Sequence, residues 1–338
     1  MRFGYIQILR LLAAVSVVGF HAISSGRAHL VNDAIGPMGV LIHGYLGVDL
    51  FFVISGFIIC HTSPPSGLAP LAFLRRRIWR IAPLYWLATL AFVAALNVAP
   101  GLSLQTGGND AAALLRSLLF ASFTEGTQPV VSLGWSLEFE MIFYVCVAGL
   151  ALLRGDVWDR AIGLFGALVL AKNLGWTPDG WRWPLGAPSM LLEFTFGIVA
   201  ARLFARRAPS VLSSGLVLAA IVAIVWNDPA SRVLVAGLSS AAAVLLAASF
   251  GRDGKPLPIL FAGLERLGDA TYSIYLAQVF TIPLLARATA QTMPDCPVWA
   301  FMAIAIVGTV AAGWALYRCV ERPLLHGGWG RRVGVQPP

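Results

Sequence analysis

Charge is what this 338-residue sequence has least of: 12% of its residues are charged, while 58% are hydrophobic. A soluble domain is about 25% charged and roughly 45–50% apolar. So few charges cannot cover a water-facing surface, which excludes a disordered chain and an ordinary soluble enzyme. Cysteine is sparse as well. Cys60, Cys146, Cys296 and Cys319 are scattered, with no Cys-x-x-Cys pair and no metal-ligand spacing. Neither a metal site nor a disulfide framework is expected from them. No internal repeat, heptad or low-complexity tract is visible. Acidic residues are few: 16 Asp and Glu against 24 Lys and Arg leave a net charge of +8. In a chain this apolar, a basic excess points to loops on one side of a membrane rather than to nucleic acid.

What the sequence does have is apolar runs. Ten are read as bilayer crossings, at residues 5–25, 39–60, 78–98, 132–153, 160–175, 188–205, 210–226, 231–249, 267–286 and 298–318. A transmembrane helix needs about 20 such residues. The fold class is therefore all-α, a polytopic integral membrane protein with about ten transmembrane helices. The first run follows an arginine as a signal peptide would. Arg10 interrupts it and no small-x-small site follows, so it reads as a retained first helix. The longest connection, 99–131, is polar from Gln105 to Asp110 and then apolar from Ala111 to Phe123. That second part is expected to form an amphipathic interfacial helix. With the N-terminus in the cytoplasm, strict alternation puts 17 basic residues on the cytoplasmic side and 6 on the other. Both termini are then cytoplasmic. Residues 326–338, rich in Gly and Pro, read as a flexible cytoplasmic tail.

An ionisable group in hydrocarbon costs about 2.5–3.5 kcal/mol on the insertion scale, so each one needs a reason. Arg10 and His21 share the first helix, eleven residues apart. That is three turns, which puts both on one face about 16 Å apart along the axis. Asp49, Glu140 and Glu193 lie on three other helices, at depths that overlap His21 when counted from the helix ends. Two readings stand for these groups: pairs that hold helices in register, or a chemical site. His21 has the pKa best suited to proton transfer near neutral pH.

The second informative stretch runs from Phe73 to Trp86 and carries Arg75, Arg76, Arg77 and Arg80 at the expected cytoplasmic mouth of the third helix. Such a cluster anchors topology. It also fits a phosphate site, because guanidinium forks grip phosphate oxygens bidentately. A phosphorylated cytoplasmic donor such as an acyl-coenzyme A would suit it.

Seven segments in order now form a familiar series. They are Arg10 with His21, Gly47 to Phe57, Arg77 to Tyr85, Trp135 to Tyr144, Glu193 to Gly197, Leu267 to Leu276 and Val320 to Pro323. Together they resemble the membrane-bound acyltransferase family 3, which includes bacterial polysaccharide O-acetyltransferases. The length is most like that of the exopolysaccharide-production acetyltransferases. The resemblance implies one transmembrane acyltransferase domain over 1–325 in a bacterial inner membrane. It further implies transfer of an acetyl group from acetyl-CoA (an acyl-CoA donor substrate, with no tightly bound cofactor) to a saccharide or glycolipid hydroxyl outside. The polysaccharide synthesis machinery would be a neighbour. His21, Glu140 and Asp49 are then the expected catalytic residues, with a carboxylate orienting the imidazole. Arg10, Arg76, Arg77 and Arg80 would bind the donor. Glu193, Tyr272 and Gln278 are candidate acceptor or structural residues.

One departure stands out. Many relatives carry a Trp-His pair where this chain has Ala277 and Gln278. An amide does not titrate in the useful range, so Gln278 transfers no proton. A transporter or flippase of a sugar precursor remains the competing function class, since midplane charges on apolar helices describe those too. The stretch Trp176 to Trp183 either stacks sugars or belongs to the interfacial aromatic belt.

Overall fold

The computed structural model describes residues 3–98, 108, 110–176, 189–206, 232–251 and 258–326. Within them the chain is helical, with no strand. The helices are α1 (Gly4–His29), α2 (Leu46–Thr62), α3 (Pro70–Val98), α4 (Ala111–Leu118), α5 (Gly134–Leu150), α6 (Val157–Asn173), α7 (Ser189–Ala205), α8 (Arg232–Phe250), α9 (Ile259–Asp269), α10 (Thr271–Thr292), α11 (Val298–Leu316) and α12 (Arg322–His326). Three continuous helical stretches are long and apolar enough to cross a membrane: Gly4–His29, Pro70–Val98 and Val298–His326. A fourth crossing results if the 3₁₀ turn Gly36–His43 and α2 count as one span, bent by 48°. The chain is an all-α polytopic membrane protein.

Nine of the ten expected segments coincide with helices. The remaining one, 210–226, lies outside the described residues, as do most of the tail and the stretch after Trp176. Three segments depart from the reading, of which 39–60 is the 3₁₀ turn Gly36–His43 followed by α2 from Leu46. The segment read as 78–98 begins at Pro70, so its arginines lie within α3 rather than at its mouth. Proline suits that first position, because its missing N–H would be unbonded there anyway. The segment read as 267–286 is two helices, broken at Ala270 between α9 and α10.

Helix α1 is the hub and packs against α2, α8, α9, α10 and α11. Lipid offers no hydrophobic force between helices, so close approach of small residues decides the contacts. The tightest is α2 on α7. A Cβ at Gly56 would sit 2.1 Å from the Phe194 carbonyl oxygen, and one at Gly197 would sit 2.1 Å from that of Val53. Beside this crossing the Phe194 ring stacks on Phe143 at 4.4 Å and on Phe52 at 4.6 Å.

From Asp110 onward the long connection is folded onto the bundle. Asp110 caps α4 by accepting from the Ala113 N–H at 2.6 Å. Tyr85 shares a hydrogen bond with Ser117 at 2.8 Å, and the Trp86 indole donates to the Leu118 carbonyl at 2.7 Å. Ala113 and Ser117 face inward while Leu115 and Leu119 face out, the amphipathic pattern expected of this helix.

Candidate active site

The i,i+3 spacing of Arg77 and Arg80 turns both to the inner side of α3, partly buried, and leaves Arg75 and Arg76 exposed. The Arg77 guanidinium lies over two rings, 5.7 Å from the centroid of Phe73 and 5.8 Å from that of Tyr144. Phe73 is one turn before Arg77 on the same face and is 1% exposed. These contacts fix where the cation points.

On α1, Arg10 donates to the side-chain oxygen of Gln7 at 3.1 Å. Its charged neighbours are Arg80, Glu321, Asp269 and Glu140. Those of Arg77 include Arg80 and Glu140. Three guanidinium groups and three carboxylates thus meet within the bundle. Their balance is what lets charge persist there, since an unpaired ion in such a site is costly.

Helix α5 supplies Glu140, whose carboxylate accepts hydrogen bonds from Ser55 at 3.0 Å and from the hydroxyl of Tyr144, one turn on. Glu138, two residues earlier, points elsewhere. It accepts from the backbone N–H groups of Ser122 and Phe123 at 2.8 and 3.3 Å and so fastens the loop before α5. On the opposite wall, Tyr272 of α10 donates to the Ile81 carbonyl at 2.7 Å and counts Glu321 and Glu140 among its charged neighbours. Glu321 is 2% exposed and accepts from the Ser273 hydroxyl at 2.5 Å.

The structure therefore brings together Arg10, Arg77, Arg80, Glu140 and Tyr272. His21 lies apart from them, about 16 Å further along α1. It is partly buried, its ring is edge-on to Phe20 at 5.2 Å, and it has no charged neighbour among the described residues. The sequence-based depth put Glu140 level with His21. In the structure it sits with the arginines, bonded to Ser55 and Tyr144 and facing Arg77. Asp49 and Glu193 are buried on α2 and α7, and neither is a principal neighbour of the arginines. Gln278 is buried, with its amide donating to the Tyr275 carbonyl of its own helix at 2.9 Å.

Comparison with known proteins shows the family of the chain. Residues 3–318 match the family described as "Acyltransferase domain", family 3. The chain belongs to the membrane-bound acyltransferase family 3. It is similar to "Exopolysaccharide production protein ExoZ" of Rhizobium meliloti (strain 1021), at 33% identity over 86% of this chain and 92% of that protein. It is also similar to "Acyltransferase MdmB" of Streptomyces mycarofaciens, at 26% identity over 94% and 90%. "Nodulation protein 10" of Rhizobium leguminosarum bv. viciae is 25% identical over 94% and 92%. No solved structure matches. As a member of family 3 the protein is an acyltransferase, and between the enzyme and the transporter the family decides for the enzyme.

Glu321, Ser273, Asp269, Ser55 and Tyr144 lie within the segments that carry the resemblance, but the sequence alone did not single them out as candidate site residues. Glu321 carried a usable signal: a carboxylate between Val320 and Arg322, directly beyond the last apolar run. The hydroxyls carried none, because Ser and Tyr are ordinary residues in such helices.

Proposed function

We propose that this acyltransferase moves an acetyl group from cytoplasmic acetyl-CoA to a hydroxyl of an extracytoplasmic saccharide, such as an exopolysaccharide or its lipid-linked precursor. The observation that carries the reading is the convergence of Arg10, Arg77 and Arg80 below His21 on the same helix bundle. Guanidinium groups held by rings and carboxylates suit the phosphates of coenzyme A. The pantetheine arm would then run along α1 toward His21, about 16 Å away. The 17-to-6 distribution of basic residues supports a cytoplasmic donor side and cytoplasmic termini, in the inner membrane of a bacterium. The relative named for exopolysaccharide production supports a saccharide acceptor.

In the reaction the acceptor oxygen forms a bond to the thioester carbon and the carbon–sulfur bond breaks. The hydroxyl proton passes to His21 and on to the leaving thiolate. A hydroxyl is a poor nucleophile until its proton is taken, and His21 is the titratable group placed beyond the arginines. An acetyl-His21 intermediate would reach the same products in two steps. Asp49 and Glu193 then serve as buried polar groups of the surrounding helices.

The test is transfer of radiolabel from acetyl-CoA into polysaccharide by membranes containing wild-type protein or His21→Ala. Loss of a proton-transfer group lowers such rates by about 10²–10⁴-fold. His21→Ala that is expressed and folded yet keeps most of the label transfer would refute the role of His21. Wild-type membranes that transfer no label would refute the donor.

A further inference from the structure

Helix α11 does not end at Leu316. It runs into a π-helical turn, Tyr317–Glu321, and on into α12. The wide turn is marked by a hydrogen bond from the Arg322 N–H to the Tyr317 carbonyl, five residues back. Its cause is local. Pro323 has no N–H and its ring would press on the carbonyl four residues before it, so a regular α-turn is disfavoured there. Its effect is on direction. Thr309, Gly313, Tyr317, Glu321 and Leu325 are all buried, one every fourth residue. An ideal α-helix turns about 40° further round with each such step. The π turn takes part of that rotation back and keeps Glu321 aimed inward. Inserted turns of this kind recur at functional sites.

The inward carboxylate is held by Ser273 of α10 and interacts electrostatically with Arg80 of α3 and Arg10 of α1. It accepts from the Ser273 hydroxyl at 2.5 Å and from the Ser273 backbone N–H. That N–H belongs to the first turn of α10, where backbone donors lack helical partners. Its charge acts on both Arg80 and Arg10. Next to Ser273, Tyr272 donates to the carbonyl of Ile81, next to Arg80, at 2.7 Å, which seats this end of α10 on the Arg80 turn of α3. Glu140 is engaged by Ser55 and Tyr144 and faces Arg77. Glu321 is thus an anchored carboxylate whose charge acts on both arginines, which would otherwise push apart.

We propose that Glu321 is the positioning residue of the donor site: anchored on the start of α10, it holds Arg10 and Arg80 side by side for the phosphates of the acyl donor. The assignment rests on the coenzyme A reading above and adds to it the group that aligns the arginines. Glu321 touches no substrate, so its removal acts on donor affinity before it acts on chemistry.

The experiment is calorimetric titration of coenzyme A into purified wild type, Glu321→Gln, Glu321→Asp and Ser273→Ala, with KM and kcat for acetyl transfer measured on the same samples. Glu321→Gln is expected to weaken coenzyme A binding and raise KM by about ten- to a hundredfold, the range of a lost charged hydrogen bond. Its kcat changes less. Glu321→Asp, which keeps the charge, recovers part of the affinity. Ser273→Ala shifts KM in the same direction by a smaller factor and keeps the test open if Glu321→Gln fails to fold. Glu321→Gln with wild-type affinity and KM would overturn the proposal. So would a lower melting temperature and yield with unchanged KM, which would make Glu321 a bolt between helices. Wild-type protein that binds no coenzyme A would overturn the donor reading itself, a failure seen without any variant.

Discussion

Tyr144 donates its hydroxyl to Glu140 one turn earlier on α5, and the face of its ring lies 5.8 Å from the Arg77 guanidinium. One side chain thus orients an anion with its polar tip and a cation with its π face. The pair can be dissected, because phenylalanine keeps the second function and loses the first. In Tyr144→Phe, Arg77 stays in place and Glu140 retains Ser55 alone. A lost hydrogen bond to a charged group is worth roughly 1.5–3 kcal/mol. If Glu140 needs that bond to act, kcat/KM for acetyl transfer falls by about ten- to a hundredfold. Kinetics within a factor of two of wild type would show that Ser55 suffices.

The arginines divide by face, and their variants should divide likewise. Arg77 is pinned over Phe73 and Tyr144, whereas Arg76 next to it is exposed. Arg77→Lys keeps the charge and gives up both the planar fork and the ring stacking. Its KM for acetyl-CoA is expected to rise by about tenfold or more, with the larger effect at low salt. Arg76→Ala should stay within about twofold of wild type, as surface substitutions generally do. Equal effects at both positions would mean that the cluster acts through its overall positive field, and the inward pair would lose its special standing.

Much of this was legible in the sequence, and the rest was hidden for physical reasons. Apolar runs mark helices because a backbone in lipid must bond to itself, so nine of the ten segments coincide with helices. Arg10 and His21 announced themselves as charge and imidazole within a single run. Rotation about a helix axis is less legible. The ordinary period puts Glu321 about 80° away from the face of Gly313, eight residues earlier. Only the π turn beside Pro323 brings it inward. Depth is also poorly encoded, because helices of 17 and 29 residues cross the same bundle and cannot share one ruler. Glu140, read as level with His21, sits with the arginines instead.

The α2–α7 crossing tolerates no side chain at its centre. Gly56→Ala places a Cβ 2.1 Å from the Phe194 carbonyl oxygen, and a backbone atom cannot swing aside. Overpacking of this kind usually costs about 1–3 kcal/mol and sometimes more. The neighbouring stack of Phe52, Phe194 and Phe143 moves with α7, so the disturbance spreads toward α5. Gly56→Ala is expected to lower the yield of monodisperse protein on size exclusion in detergent. Gly163→Ala on α6, where an added Cβ meets nothing within 4 Å, is the matched control. Equal yields would show that the two helices separate at little cost.

Glu138 and Glu140 stand two residues apart on α5 and should fail in different ways. Glu138 satisfies two backbone N–H groups at the start of the short turn Ser122–Glu125. Glutamine there keeps one acceptor oxygen and weakens the cap, a loss of about 1–2 kcal/mol in stability. The melting temperature of Glu138→Gln should therefore drop, while the folded fraction keeps a near-normal KM. At Glu140 the order reverses. Glutamine still accepts from Ser55 and Tyr144, so the helices hold, but Arg77 and Arg10 lose a counter-charge. Glu140→Gln should melt near wild type and lose acetyl transfer by about tenfold or more. The decisive comparison is melting temperature against kcat/KM for the two variants side by side. A stable, inactive Glu138→Gln beside an unstable, active Glu140→Gln would invert the division and move the chemistry to the other carboxylate.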